Sequence, residues 1–267
     1  MNRFLVRPEN RPIVVGHRGA SLRAPENTMA AFRRAVADGA DAIELDARLT
    51  GDGEVVVFHD ERLGRTAEGK GRIGGMTCRE LRRLSAGRWF HEKFSSEKIP
   101  LLAEVLDELG DRTGVNIELK ARIPAEERML PDRTMAVLRN AGNPASILVT
   151  SFVHSCIRRI RAAGADLTCG LLLPPYRAVV MNPAALRKAF GVDYLVVNGS
   201  ALKKTAVVRC HEKGLCVGEY TVNTPRRLQR ALRYGVDAVF TDDPAVVGGF
   251  LKKTNPGSRP GLLWGNP

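Results

Sequence analysis

The chain has 267 residues, 44% of them apolar, enough for a sizeable core; (β/α)₈ barrels average about 250 residues, although two smaller domains would also fit. Forty-one basic residues against 29 acidic ones give a formal charge of +12, which favours anionic partners such as a phosphate substrate, nucleic acid or a lipid headgroup surface, with a solubilising surface as the plain alternative. No apolar run approaches the ~20 residues of a membrane span, and the five cysteines (Cys78, Cys156, Cys169, Cys210, Cys216) include no Cys-x-x-Cys pair, which argues against a zinc site of that type and for reduced thiols in a soluble cytoplasmic protein.

In chain order, the first apolar run is 13–16 (IVVG), followed directly by His17 and Arg18. Residues 26–38 place Ala31, Phe32, Ala35 and Val36 on one helical face, and Gly39 stops them. Pro25, Glu26 and Asn27 read as an ordinary helix start more than as substrate contacts. The second run, 42–47 (AIELDA), continues into RLTGDGEVVVFHD at 48–60. Its Asp-Gly pair predicts a turn at Thr50–Gly53 and a return arm over 54–58, antiparallel to the outgoing strand. This hairpin extends from the barrel and stays outside its strand count. Residues 60–100 read as a short irregular insertion with a small helix near 79–84.

Further apolar runs occur at 115–119, 147–152, 169–173, 194–197, 215–222 and 238–241. Helical patterns fill 101–109, 126–140, 153–163, 183–190, 203–213 and 225–234, and several end at a glycine. Short apolar runs separated by helices indicate parallel strands covered by helices. The fold class is therefore α/β, and eight such strands suit a closed (β/α)₈ TIM barrel; a doubly wound open sheet is the rival. No sequence repeat stands out. Residues 1–252 read as a single barrel domain. The Gly- and Pro-rich tail from about Lys252, residues 253–267, reads as a loose extension whose Leu262, Leu263 and Trp264 can dock on this chain or a neighbour.

Chemistry concentrates at the strand ends. Glu44 and Asp46 stand two apart on one strand, so both side chains share a face. Two carboxylates inside a barrel are costly without a cation or proton between them. Glu118 stands near the end of the next parallel strand, with Lys120 two positions on. These three oxygen donors suit a hard cation such as Ca²⁺ or Mg²⁺; salt bridges at a strand end are the structural alternative. The hairpin brings residue 58 or 59 opposite Asp46, so His59 returns to the same rim. His17 ends the neighbouring first strand. Two imidazoles with ordinary pKa values near ~6.5 can divide general-base and general-acid roles, and the sequence does not assign which is which. Arg18 can hold phosphate oxygens in two bonds or pair with Asp46 or Glu44. His91, His154 and His211 have no acidic cluster beside them and read as surface or packing residues.

The motifs HRGAS…APENT (17–28), ELD (44–46), TGDGEVVVFHD (50–60), ELK (118–120), SF (151–152), TVN (221–223) and GVDAVFTDDP (235–244) together resemble those of the glycerophosphodiester phosphodiesterase family. The resemblance implies a (β/α)₈ barrel that hydrolyses glycerophosphodiesters to an alcohol and glycerol 3-phosphate with one divalent cation. It implies that His17 and His59 are the acid/base pair and that Arg18 binds phosphate. It also implies that Glu44, Asp46 and Glu118 are metal ligands and Lys120 a substrate contact. Three departures stand out. Tyr220 replaces the Trp that often precedes TVN and keeps an aromatic, substrate-facing wall; Val153 and His154 follow SF where many members have an acid; and the 60–100 insertion is too short for a large cap. Two alternatives remain: a lysophospholipase D-type hydrolase using the same site, and a non-catalytic barrel that binds an anionic ligand or nucleic acid. The intact acids and histidines favour a small-molecule substrate over nucleic acid. Weak contact with a membrane surface remains open, and the oligomeric state is not set by the sequence.

Overall fold

The computed structural model describes residues 2–5, 8, 11–141, 146–164, 166–174 and 182–254. Among the described residues nine strands follow in order: β1 (Ile13–Gly16), β2 (Ala42–Leu49), β3 (Val55–Val57), β4 (Gly114–Leu119), β5 (Ile147–Ser151), β6 (Thr168–Leu173), β7 (Tyr194–Asn198), β8 (Cys216–Tyr220) and β9 (Ala238–Thr241). All but β3 are parallel and run β1-β9-β8-β7-β6-β5-β4-β2 around the sheet. β1 then pairs with β2, Val15 opposite Ala42, and closes the barrel. The open-sheet rival is thereby excluded. β3 pairs antiparallel with β2, Ala47 opposite Val57, and Phe58 N donates to Asp46 O at 2.8 Å, so the hairpin has the register that its turn predicts.

The helices are α1 (Met29–Ala37), α2 (Cys78–Leu81), α3 (Leu102–Leu109), α4 (Pro124–Asn140), α5 (His154–Ala163), α6 (Pro183–Phe190), α7 (Lys204–His211), α8 (Pro225–Tyr234) and α9 (Pro244–Thr254). α9 is absent from the sequence reading. Gly248 and Gly249 dilute its propensity, and burial of Val247 and Leu251 against the barrel compensates. It runs to Thr254, past the Lys252 where composition alone begins a loose tail; residues 255–267, including Leu262, Leu263 and Trp264, lie outside the described residues. α1 starts three residues later than Glu26, because Thr28 is its cap and accepts from Ala31 N. Among the described residues no helix is long and apolar enough to cross a membrane.

Strand alternation divides the core in two. Ile43, Leu45, Ile117, Val149, Leu195 and Val239 point outward beneath the helices. A second cluster fills the barrel: Ile13, Val15, Ala42, Leu148, Leu172, Tyr194, Val196, Ala238 and Phe240. Gly170 and Gly218 make room for its large rings: a Cβ there would lie 2.9 Å from Tyr194 Cβ and from Phe240 Cε2 respectively. Phe4, 1% exposed, joins this cluster near the start of β4, a burial worth about 2–3 kcal/mol.

Where the strands begin, a three-residue repeat too short to stand out in the sequence staples neighbouring strands. Gly39-Ala40-Asp41, Gly191-Val192-Asp193 and Gly235-Val236-Asp237 each end a helical unit and lead into a strand. Asp41 accepts from Val14 N at 2.8 Å, Asp193 from Cys169 N at 3.0 Å and Asp237 from Val217 N at 2.7 Å. Each also pairs with a base: Arg11, Arg161 or His211. Polar staples at the strand starts and an apolar filling leave the strand ends as the place for chemistry.

Candidate active site

β2 and β4 carry the acids. Glu44, Asp46 and Glu118 lie at successive inward positions, 2%, 1% and 7% exposed, and offer oxygen atoms within 4.8 Å of one another. Burial and the neighbouring Asp46 charge push the Glu44 carboxyl up to about 8, and burial also raises Glu118. Burial acts in the same direction on Asp46, but Lys120 and Arg18 outweigh it and hold Asp46 below the usual carboxylate range. Lys120 Nζ is the local counter-charge, 3.1 Å from Asp46 Oδ1 and 2.6 Å from Glu118 Oε1.

The loop after β1 brings His17, Arg18 and Asn27 to the same end. Arg18 N donates to Glu44 Oε2 at 2.8 Å. Its guanidinium lies 3.4 Å from Asp46 and bonds Glu26 at 2.9 Å. Arg18 (φ 55°) and Asn27 (φ 56°) are the described non-glycine residues with positive φ, and Asn27 N donates to Arg18 O at 3.0 Å. Such backbone is costly for side chains other than Asn or Asp and concentrates at functional loops. Asn27 spans back to β2: its Nδ2 donates to Asp46 Oδ2 at 2.7 Å and its Oδ1 accepts from Asp46 N at 3.2 Å. Glu26 and Asn27 thus belong to the site, which corrects their reading as a plain helix start.

Both histidines sit at the mouth, and each leans on an aspartate. His17 Nδ1 lies 2.6 Å from Asp242 Oδ1, at the end of β9. His59 Nδ1 lies 2.7 Å from Asp60 Oδ1. Burial by itself lowers the His17 pKa, but the Asp242 hydrogen bond and the Glu44 charge raise it above its ordinary value. Burial, with Lys120 and Arg18 nearby, leaves His59 below its ordinary value despite Asp46. Asp242 is fixed in turn by Asn223 and Ser21, and Arg48 anchors the hairpin return by donating twice to His59 O and once to Lys120 O.

His17, Arg18, Glu44, His59, Glu118, Lys120 and Tyr220 line one cavity of about 140 Å³, whose floor is Leu172, Val196 and Phe240. Tyr220 stands edge-on to Phe152 at 6.5 Å. Asn116, beneath Glu118, also faces the cavity and is held by Thr150 at 3.2 Å. A groove of about 360 Å³ shares His59, Glu118, Lys120 and Phe152 with the cavity and continues past Asp60 and Arg122. The remaining histidines are elsewhere: His91 caps a short turn, His154 packs on Phe190 and His211 pairs with Asp237. Cys78, Cys156, Cys169 and Cys210 are free thiols, and burial pushes Cys169 and Cys210 up to about 11.

The sequence reading assigns no role to Asp60, Asp242 and Arg65, and it weighs Glu26 and Asn27 as a helix start above a place in the site. Asp60 adjoins His59 in FHD and was within reach of that reading. Asp242 required closure, which sets it beside a residue 225 positions earlier.

Comparison with known proteins follows the same residues. The chain matches the Glycerophosphoryl diester phosphodiesterase family over residues 17–246. The chain belongs to that family. As a member of the glycerophosphoryl diester phosphodiesterase family it is a phosphoric diester hydrolase. It is 35% identical over 245 residues to a glycerophosphodiester phosphodiesterase of Caldanaerobacter subterraneus subsp. tengcongensis, covering 90% of this chain and 98% of that protein. It is 36% identical to a probable glycerophosphodiester phosphodiesterase 1 of Mycobacterium tuberculosis, covering 90% and 93%. An Oleispira antarctica phosphodiesterase solved with the product sn-glycerol-3-phosphate superimposes with a TM-score of 0.85 at 28% identity, covering 91% of this chain and 97% of that one.

The donor set of this phosphodiesterase fits a metal. Its three groups offer only oxygen, as hard cations require. Asp46 Oδ1 and Glu118 Oε1 are buried without a well-directed hydrogen bond, and the Lys120 ammonium lies against both. Burial, and after it the Asp46 charge, pushes the Glu44 carboxyl beside them up to about 8, and a cation held there would favour its ionised form.

Proposed function

We propose that the chain hydrolyses glycerophosphodiesters to an alcohol and sn-glycerol 3-phosphate, with one divalent cation, Ca²⁺ or Mg²⁺, held by Glu44, Asp46 and Glu118. The observation that carries this reading is the convergence of two histidine–aspartate pairs and three clustered acids on one cavity. The Oleispira relative supports the product. A bound cation supplies a Lewis acid for a phosphoryl oxygen. Arg18 and Lys120 hold the phosphate, and Tyr220 walls the glycerol end.

The two imidazoles divide the protons. His17, whose environment favours its protonated form, donates through Nε2 to the departing alcohol. His59, whose environment favours its neutral form, accepts the proton of the attacking oxygen. Asp242 and Asp60 fix both rings through Nδ1, so the other nitrogen of each is the one available to substrate. Proton transfer of this kind contributes typically 10²–10⁴-fold, or about 3–5 kcal/mol of barrier. The charged groove lined by Arg48, Asp60, Glu61 and Arg122 favours a polar alcohol over the acyl chain of a lysophospholipid.

Ten basic residues against three acidic ones fall in 182–234, on and around α6, α7 and α8. This basic wall draws anionic substrates toward the barrel and is the surface for any weak contact with an anionic bilayer. The free cysteines fit the cytoplasmic location expected from the sequence. A chelator titration of activity over a panel of glycerophosphodiesters and a lysophospholipid tests the proposal. Chelator-sensitive release of glycerol 3-phosphate, restored by Ca²⁺ or Mg²⁺, supports it. Chelator-insensitive turnover, or full turnover by both His17→Ala and His59→Ala, refutes it.

A further inference from the structure

Arg65 lies in the insertion after β3, in the segment Leu63-Gly64-Arg65-Thr66. It lines neither the cavity nor the groove. Its guanidinium nevertheless makes three short bonds to two carboxylates. Nε donates to Asp60 Oδ2 at 2.6 Å, Nη1 to Glu26 Oε2 at 2.8 Å and Nη2 to Glu26 Oε1 at 2.7 Å. Each carboxylate has a second duty. Asp60 Oδ1 holds His59 Nδ1 at 2.7 Å, and Glu26 Oε1 accepts from Arg18 Nη1 at 2.9 Å. An unbroken chain therefore runs Arg18–Glu26–Arg65–Asp60–His59.

We propose that Arg65 is a positioning residue: its guanidinium clamps Glu26 and Asp60 together and so fixes the phosphate-holding Arg18 and the proton-accepting His59 in one arrangement. The two ends of the chain come from different segments, the β1–α1 loop and the hairpin return. Apart from this chain, Arg18 and His59 are tied to the barrel through separate contacts. A planar fork with donors on two edges matches two carboxylates at once; a lysine ammonium does not. Removing the guanidinium leaves Arg18 as the cation paired with Glu26 among the described residues, so Glu26 competes with substrate phosphate for that side chain. It also leaves Asp60 free to swing, and the His59 ring with it. One lost contact thus disturbs binding and turnover together.

The inference rests on the roles proposed for Arg18 and His59, and the experiment separates the two. Glycerophosphocholine hydrolysis by wild type, Arg65→Ala, Arg65→Lys, Arg88→Gln and His59→Asn gives kcat, KM and Tm for each. Arg88 sits in the same insertion and pairs with Glu68 at 2.9 Å, away from the chain of contacts. Arg65→Ala should lower kcat and raise KM, with kcat/KM down about 10- to 100-fold, as loss of charge-assisted hydrogen bonds implies. Arg65→Lys should repair one of the two parameters and not both. Arg65 is 46% exposed at its side chain, so free guanidinium at non-denaturing concentration should reach the gap and restore part of the Arg65→Ala loss. Arg88→Gln should match wild type. Wild-type kcat and KM in Arg65→Ala, beside an inactive His59→Asn, overturn the clamp alone. An Arg65→Ala loss that tracks a fall in Tm and resists guanidinium also overturns it, since that is a folding role. Full turnover by His59→Asn overturns the clamp together with the reading beneath it.

Discussion

Replacing Lys120 by Met isolates the electrostatic logic of the acidic cluster, without any assay of turnover. The ammonium touches Asp46 Oδ1 and Glu118 Oε1, and its side chain is 16% exposed. Removing one partner of a buried ion pair costs about 3–5 kcal/mol. Protonation caps that cost, because Glu118 can take up a proton instead. Relative to an ordinary glutamate value of 4.5, holding that proton at pH 7 costs about 3.5 kcal/mol, at 1.36 kcal/mol per pH unit. At pH 5 the same proton costs under about 1 kcal/mol. The ion-free variant should therefore lose about 3 kcal/mol of unfolding free energy at pH 7 and under about 1 at pH 5. A divalent cation, no longer competing with the ammonium, should restore more stability to the variant than it adds to wild type; binding at 100 times Kd supplies about 2.7 kcal/mol. Urea unfolding at both pH values, in chelator and in Ca²⁺ or Mg²⁺, reads all four quantities. A penalty equal at pH 5 and pH 7, or no extra gain from cation in the variant, would refute the reasoning.

Three further outcomes follow. Asp242→Asn should lower kcat by about 10²-fold or more; because Asp242 raises the His17 pKa, and an acid is lost as pH rises through its pKa, the alkaline limb should move to lower pH, and an unmoved limb in the pH–rate profile would take His17 out of the acid role. Asn27→Ala should cost about 2–4 kcal/mol of stability, from a hydrogen bond to a buried charge and a left-handed backbone, while Asn27→Gly should lose less; equal urea midpoints for the two would remove the backbone part. Glu44 has its folded pKa raised to about 8 against an ordinary 4.5, so the ion-free fold holds a proton there that the unfolded chain releases, and its contribution to stability falls as pH rises from 4.5 to about 8. Cation binding at pH 7 should therefore release about one proton; calorimetric heats that do not vary with the ionisation enthalpy of the buffer would contradict this.

Much of the site was legible because it follows local rules. Alternation placed Glu44 and Asp46 on one face, and the Asp-Gly turn fixed the register that returns His59 to Asp46. The eight parallel strands emerge from short apolar runs, and their bounds hold to within two residues. Features that depend on the whole circuit were hidden. Asp242 reaches His17 only through the β1–β9 pairing. Phe4 fills the barrel from a segment with no strand or helix pattern. Glu26 and Asn27 carry the composition of a helix start, and only the left-handed turn at Asn27 shows that the helix begins after them. Arg65 sits in a loop whose sequence is indistinguishable from other basic surface segments, and its meaning lies entirely in what two distant acids do around it.

The seam where first strand meets last has a consequence for the life of the polypeptide. His17 is made well before its aspartate, which follows β9. A nascent or proteolytically clipped chain that lacks residues beyond about 240 therefore carries an unsupported imidazole. A cut before β9 therefore removes two things at once, the strand that closes the barrel on β1 and the partner that holds the His17 ring.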